Sequence, residues 1–401
     1  MKISLIDKDE EFYNLRNKWN ELLDKSKSNT IFLTWEWMYS WWKNYKEDRR
    51  LFILKAEDSA NGELIGIAPF YLKTLLFFKF FPLNSIFFIG DGTKDSDYLD
   101  LIVSLEREEE VIISFFDFLE KNNEWDLIIL NEIPETSVNL EVIRQEVKRS
   151  NYLFSQKEGF CAYTILPQNW DSYLKSLNPR MRTKIRSNSR NLEENFQTQF
   201  IICSNQSELP EKLNSLFKLH QKRWNEIYYE GAFLSPQRCQ FYFDLSQYFL
   251  EKDWLRLYSL KVDGKYVAHQ FCFEYNRNIF LLQEGFDTNW DKWGVGNVLR
   301  TYVFKDIITK GIKEYDFLGG VSFHKTSWGA ITKKTLYIII GKPSFKNKFY
   351  IQLPILKEAC KEKLRKVIPE SLLEFKKDLV EKIRKRKIKR EIEIELKREN
   401  N

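Results

Sequence analysis

Two rhythms of hydrophobic residues run along the chain. Phe12, Leu15, Trp19 and Leu22 recur at helical spacing, which predicts a helix over Glu10–Lys25. Thr34 is a suitable N-cap for a second helix, Trp35–Tyr45. That helix carries Trp35, Trp37, Tyr39, Trp41, Trp42 and Tyr45, a pattern that fits packing between two halves better than stacking on sugar rings. Strand-like runs follow at Leu51–Ala56, Glu63–Tyr71, Ser85–Ile89, Tyr98–Val103 and Trp125–Leu130, with an earlier one at Ile3–Ile6. Thr74–Pro82 reads as a loop with a hydrophobic bulge. Helical patterns at Arg107–Lys121 and Ser137–Arg149 close the first half, and Ser150–Pro167 reads as a join.

Beyond the join come helices at Asn169–Ser176 and Arg180–Glu194, the second opened by Asn178-Pro179. A strand at Gln197–Ile202 and helices at Leu209–Trp224 and Pro236–Leu250 lead to the richest stretch, Trp254–Ala330. It begins with three strands, Trp254–Val262, Lys265–Glu274 and Asn278–Gly285, the first two joined by Asp263-Gly264, a strong hairpin signal. Gly294-Val295-Gly296 then opens a helix, Asn297–Lys310, and a buried-type strand follows at Tyr315–Leu318. The earlier stretch Leu51–Tyr71 has the same strand, glycine turn and strand. Glu124-Trp125-Asp126-Leu127 matches Glu314-Tyr315-Asp316-Phe317 in kind. One supersecondary plan is used twice. The expected fold is therefore α/β (α+β), with halves at 1–160 and 161–341 and a helical tail at 342–401 interrupted at Pro369.

Composition changes this picture little. Hydrophobic residues make up 43%, enough for buried cores. The five cysteines have no paired spacing, so neither a disulfide framework nor a zinc knuckle is indicated. The three histidines are too dispersed to suggest a metal site. No signal peptide or membrane-spanning run is apparent, which points to the cytoplasm. Charge matters more. The net charge is +6, yet residues 342–401 hold 19 Lys and Arg against 10 Asp and Glu, which leaves residues 1–341 at −3. The tail is thus the candidate for an anionic surface, by peripheral contact with a membrane, and nucleic acid is not expected on the body.

Several residues in Trp254–Ala330 suggest chemistry. Gly294, Val295, Gly296 and Asn297 form a helix start whose unbonded N–H groups suit a phosphate. Glu284 ends one strand and Asp316 ends another; either is a candidate proton acceptor. His324 titrates in the useful range, and Lys325 beside it could stabilise an oxyanion. Arg182 and Arg186, with Arg190, line one helix face and could grip an acidic substrate. His269 sits in an apolar strand and reads as a hydrogen-bonded core residue or a substrate contact.

The ordered set LNPRMRTKIRSNSRNLEE (177–194), LHQKRW (219–224), LYSLKVDGKYVAHQFCFEY (257–275), residues 284–320 and HKTSWG (324–329) resembles the GNAT-type acyltransferases of the CelD-like group. That group is associated with cellulose and exopolysaccharide synthesis and is distantly similar to the FemAB aminoacyltransferases. The resemblance implies tandem GNAT folds, acetyl-CoA or another acyl-CoA as donor, and no metal. It implies as acceptor an amino or hydroxyl group of a sugar nucleotide or lipid-linked glycan. In this light Glu284, Asp316, His324 and Lys325 would be catalytic, Gly294–Asn297 would hold the donor, and Arg182, Arg186, His269 and Trp328 would meet the acceptor. His324-Lys325 stands where the family commonly has Tyr-Lys, and Lys292-Trp293 where it usually has Ser-Pro or Pro before the glycine. Two other functions stay open: FemAB-like transfer from aminoacyl-tRNA, and a non-catalytic scaffold of a polysaccharide synthesis complex.

Overall fold

A computed structural model describes residues 1–226 and 231–365. The first half runs β1 (Lys2–Ile6), α1 (Asp9–Asn14), α2 (Arg16–Asp24), α3 (Trp35–Tyr45), β2 (Arg50–Leu51), β3 (Ile53–Glu57), β4 (Leu64–Ala68), β5 (Phe70–Phe77), β6 (Phe81–Phe88), β7 (Ile102–Val103), α4 (Glu108–Lys121), β8 (Leu127–Pro134), α5 (Asn139–Arg149) and β9 (Leu153–Ile165). The second half runs α6 (Trp170–Ser176), α7 (Pro179–Asn195), β10 (Thr198–Ile202), α8 (Leu209–Glu226), α9 (Pro236–Glu251), β11 (Leu255–Val262), β12 (Lys265–Tyr275), β13 (Asn278–Phe286), α10 (Val295–Thr309), β14 (Glu314–Gly319), α11 (Phe323–Ser327), β15 (Ile331–Gly341) and α12 (Phe345–Arg365).

The architecture is mixed α/β, with two sheets flanked by helices. A large sheet of eleven strands has the order β10-β11-β12-β13-β14-β9-β15-β8-β6-β5-β2, and a smaller one has the order β1-β3-β4-β7. The repeated plan shows directly in the pairing. In the second half β13 and β14 are parallel for only three pairs, Asn278–Phe280 against Glu314–Asp316, and then part. In the first half β6 and β8 do the same over Ser85–Phe87 and Leu127–Ile129. The final strands are exchanged between the halves. β9 follows the first half in sequence but pairs with β14, while β15 from the chain's later part pairs with β8. β9 and β15 then pair with each other along eleven positions, Leu153↔Gly341 to Tyr163↔Ile331, and weld the two halves into one sheet.

Local sequence accounts for most elements. The Thr34 hydroxyl accepts from the Trp37 N–H and caps α3, and Asn178 caps α7 the same way with Pro179 in the first turn. Trp35, Trp37 and Trp41 are fully buried. Trp37 meets Phe241 and Phe273 of the second half edge-on, with centroids 5.5 and 5.6 Å apart, so the aromatic helix does pack between the halves.

Four expectations change. Glu10–Lys25 is two helices meeting at Leu15. Thr74–Pro82 is a hairpin, with the chain reversing at Phe78 and Lys79, both at positive φ without a glycine to mark the turn. Only Ile102–Val103 of the stretch Tyr98–Val103 is strand, since Tyr98 lies at φ 54°. Ser150–Pro167 is mostly the long strand β9, hidden because much of it is solvent-facing and lacks clean alternation. Pro369 and the basic run beyond it lie outside the described residues.

Candidate active site

The site forms where β13 and β14 diverge and α10 begins. Gly294 turns the chain at φ 64°, and a Cβ there would lie 1.9 Å from Nδ2 of Asn188 on α7. Gly296 sits against Phe286 of β13, where a Cβ would lie 3.3 Å from the ring. Glycine therefore lets the start of α10 approach α7 and β13 closely. The resulting cleft, about 260 Å³, is lined by Met181, Lys184, Arg223, Phe286, Gly294, Gly296 and Asn297. Asp291 and Glu284 also line the cleft, and Lys184, Arg223 and the helix N-terminus are the groups in it that suit the pyrophosphate of a coenzyme A ester. Val295 is fully buried and does not line the cleft.

A larger cavity, about 650 Å³, adjoins it between the halves. Arg223, Glu284 and His324 line both spaces. Arg300, on α10, organises this shared wall. It is 1% exposed and lies over the rings of Phe317 and Trp328, 5.3 and 5.4 Å from their centroids. It pairs with the Glu284 carboxylate and donates to His324 Nε2 at 2.9 Å. Behind it, Tyr315 donates to Gln270 at 3.1 Å and Gln270 donates to Glu284 at 3.2 Å. Burial alone would raise the Glu284 pKa, but Arg300, with His324 and Arg223, outweighs it and holds the carboxyl well below its usual range. Burial and then Arg300 push His324 down to about 4, so the ring is neutral at physiological pH. Because a guanidinium only donates, Nε2 is the acceptor and Nδ1 carries the proton.

The opposite wall comes from the first half and is acidic. Asp97 and Glu132 line it, with Lys94 and Ser96. Asp97 receives hydrogen bonds from the Cys161 thiol at 3.4 Å and the Gly319 N–H at 3.3 Å. Glu132 receives them from Thr335 at 3.0 Å and from Tyr337. Burial, then the charges of Glu132 and Asp316, raise Asp97 to about 7. The ligand atoms of Asp97, Glu132 and Cys161 lie within 4.8 Å of one another. Those hydrogen bonds already engage all three side chains, which accounts for the cluster without a cation.

The sequence-derived candidates separate in space. Glu284 and His324 meet at the shared wall, and Gly294, Gly296 and Asn297 line the adjoining cleft. Lys325 also reaches the cavity, but its ammonium donates to the carbonyls of Phe317, Leu318, Gly319 and Gly320 at 2.7–3.0 Å and closes the end of β14. Asp316 is fully buried and accepts from the Tyr98 hydroxyl at 2.7 Å, the Leu318 N–H at 2.7 Å and Lys333 at 3.2 Å. It ties the halves together away from the cavity. His269 lies in the core between Ser259 and Ser215, at 2.9 and 2.8 Å. Trp328 is fully buried beneath Arg300. Arg182 donates to the Lys175 carbonyl at 2.9 Å, and Arg186 lines a separate groove with Arg190, Trp170 and Lys305. Residues that sequence reasoning did not single out are Arg300, Arg223, Asp97 and Glu132. The available signal for Arg300 was an arginine directly after Val298 and Leu299 in α10, apart from the helix's other charges at Lys305 and Asp306, whereas Asp97 and Glu132 come together only through folding.

Residues 179–326 match the family model of the acetyltransferase (GNAT) domain. The second half carries a GNAT domain. That domain marks the protein as an acyltransferase and implies acyl-CoA as its donor. None of the curated proteins compared matches the sequence. Among solved structures the chain is similar to FemX, with 13% identity, a TM-score of 0.57, and 84% of this chain and 97% of that one covered. It is also similar to a conserved protein of unknown function from Bacteroides thetaiotaomicron, with 15% identity, a TM-score of 0.55, and coverage of 84% and 100%. A third, L-PGS from Bacillus licheniformis, has 12% identity, a TM-score of 0.50, and coverage of 84% and 95%. These likenesses concern the fold, and they extend over both halves. Among the described residues no helix is long and apolar enough to cross a membrane.

Proposed function

We propose that the protein transfers an acyl group, most simply acetyl, from acyl-CoA to the amino group of a sugar nucleotide or glycan precursor. One observation carries this: the phosphate-suited cleft at Gly294–Asn297 and the acid-walled cavity share Arg223, Glu284 and His324. The second half, 161–341, holds the donor, and the first half, 1–160, supplies the acidic wall that receives the acceptor. A sugar amine in envelope polysaccharide synthesis suits the CelD-like resemblance.

Acyl-CoA, when bound, supplies an activated thioester carbonyl. The first turn of α10, Lys184 and Arg223 hold the anionic part of the donor. Asp97 and Glu132 attract the acceptor as an ammonium ion, and Asp97, poised near 7, takes its proton. Glu284 is ionised and engaged by Arg300, so it fixes Arg300 and His324 rather than accepting the proton. His324, protonated at Nδ1, is a donor for developing negative charge. In balance, the ammonium gives one proton to Asp97, the free amine attacks so that an N–C bond forms as the C–S bond breaks, the second nitrogen proton passes to the leaving thiolate, and Asp97 returns its proton to solvent.

A second reading is FemAB-like transfer from aminoacyl-tRNA, favoured by a fold similarity to FemX that spans both halves. The net charge of −3 over residues 1–341 weighs against tRNA. Thiol release from acetyl-CoA over a panel of amino sugars and their nucleotide derivatives separates the two. Release with one class of amine supports the proposal. No release, together with transfer from aminoacyl-tRNA, overturns it.

A further inference from the structure

The tip of the β5–β6 hairpin and the start of α12 form one exposed aromatic surface far removed in kind from the acid-walled cavity. Phe80 is 81% exposed, Leu76 66% and Phe345 85%. Phe78 and Phe349 are joined to it by ring contacts at 6.1 Å, and Phe345 stacks on Phe349 at 6.3 Å. The chain exposes these side chains on an ordered scaffold. Phe77 packs against Tyr350 at 5.3 Å, and Lys346 binds the Pro82 carbonyl at 3.2 Å and Asp126 at 2.9 Å, which fastens α12 to the hairpin. Exposed apolar side chains gathered at one hairpin tip and at the helix start packed on it mark an interaction surface.

Its charge identifies the partner. Residues 74–83 and 342–357 contain no Asp or Glu but include Lys79 and Lys348, both exposed beside the phenyl rings. The same segment continues into residues 358–401, where 15 Lys and Arg face 10 Asp and Glu. Aromatic side chains flanked by lysines suit the boundary between acyl chains and anionic headgroups, where the rings bury apolar area and the ammonium groups remain in water. Protein–protein interfaces are depleted in lysine, which weighs against a protein partner here.

We infer that this hairpin–helix surface docks the protein on an anionic lipid bilayer. Phe80 and Phe345 enter the interface, and the lysines around them pair with headgroup phosphates. The inference is independent of the acyl-transfer reading, since it uses none of the cavity residues.

Co-sedimentation of the full chain with phosphatidylcholine vesicles, with or without one-third phosphatidylglycerol, tests it. The wild type should pellet with the anionic vesicles, more weakly at high salt. Phe80→Ser and Phe345→Ser should each lower the partition coefficient about tenfold, with an unchanged thermal midpoint because both side chains are already in water. Equal binding by the variants, or no wild-type binding to anionic vesicles, overturns the inference. So does a wild-type dimer, seen by ultracentrifugation without lipid, that Phe80→Ser converts to monomer, because the surface would then belong to a second copy of the chain.

Discussion

Glu284→Gln separates an organising carboxylate from a catalytic base. Arg300 is 1% exposed, and Glu284 is its carboxylate partner. Removing one member of a buried ion pair typically costs about 3–5 kcal/mol, because the other charge is left uncompensated. Here the Glu284 side chain is 25% exposed through the cavity, so solvent recovers part of that cost. About 2–3 kcal/mol is therefore expected. For 401 residues the unfolding entropy scales to roughly 0.8 kcal/mol/K. Differential scanning fluorimetry should thus show a fall of about 2–4 °C. The variant should also lose activity, because Arg300 and His324 lose their fixed geometry. The rising limb of its pH–rate profile should nevertheless stay near 7, since that limb belongs to Asp97. A midpoint unchanged within 1 °C refutes the buried-pair argument. Disappearance of the limb in Glu284→Gln would make Glu284 the base.

Three further outcomes follow from the geometry. Asp97→Asn should reduce turnover by about 10²–10⁴-fold and abolish the limb near 7. In the wild type, folding raises this carboxyl from 3.8 to about 7, so the folded state retains a proton that the unfolded chain releases. Stability from this group is present below pH 4 and lost as pH rises to 7, and Asp97→Asn should flatten that decline in pH-dependent melts. Gly294→Ala should cost about 1–2 kcal/mol for the left-handed backbone alone, plus the displacement of Asn188. Adding Asn188→Ala should restore the second part in a double-mutant melt and leave the first. Asp316→Asn should destabilise by about 2 kcal/mol by weakening the Tyr98 and Lys333 contacts. Its KM for acetyl-CoA should stay at the wild-type value.

Much of this architecture is legible in local sequence. The Asp263-Gly264 hairpin, the Thr34 and Asn178 caps and the glycine start of α10 all depend on near neighbours, and each forms as expected. The duplicated plan is also legible, because each copy repeats its own turn signals. The exchange of β9 and β15 is not, since a strand's own alternation, clear in Leu336, Ile338 and Ile340, does not say which distant strand it will pair with. The site shows the same division. Glu284 and His324 reach the cavity because they sit at element ends beside the glycine turn. Asp316 has the same sequence character, yet Tyr98 and Lys333 enclose it. Lys325 reads as a free cation, yet four carbonyl groups take up its ammonium. Burial and partner choice decide these roles, and both are set by distant segments.

The central claim is that an acyl-CoA donor lies along the start of α10 and opens into the cavity between the halves. Isothermal titration with acetyl-CoA tests it most directly, with Gly296→Trp and Arg186→Ala measured beside the wild type. The account predicts one saturable site in the wild type, the same site in Arg186→Ala, and none in Gly296→Trp, whose side chain fills the cleft against Phe286. No binding by the wild type at millimolar acetyl-CoA, or unchanged binding by a folded Gly296→Trp, would contradict it.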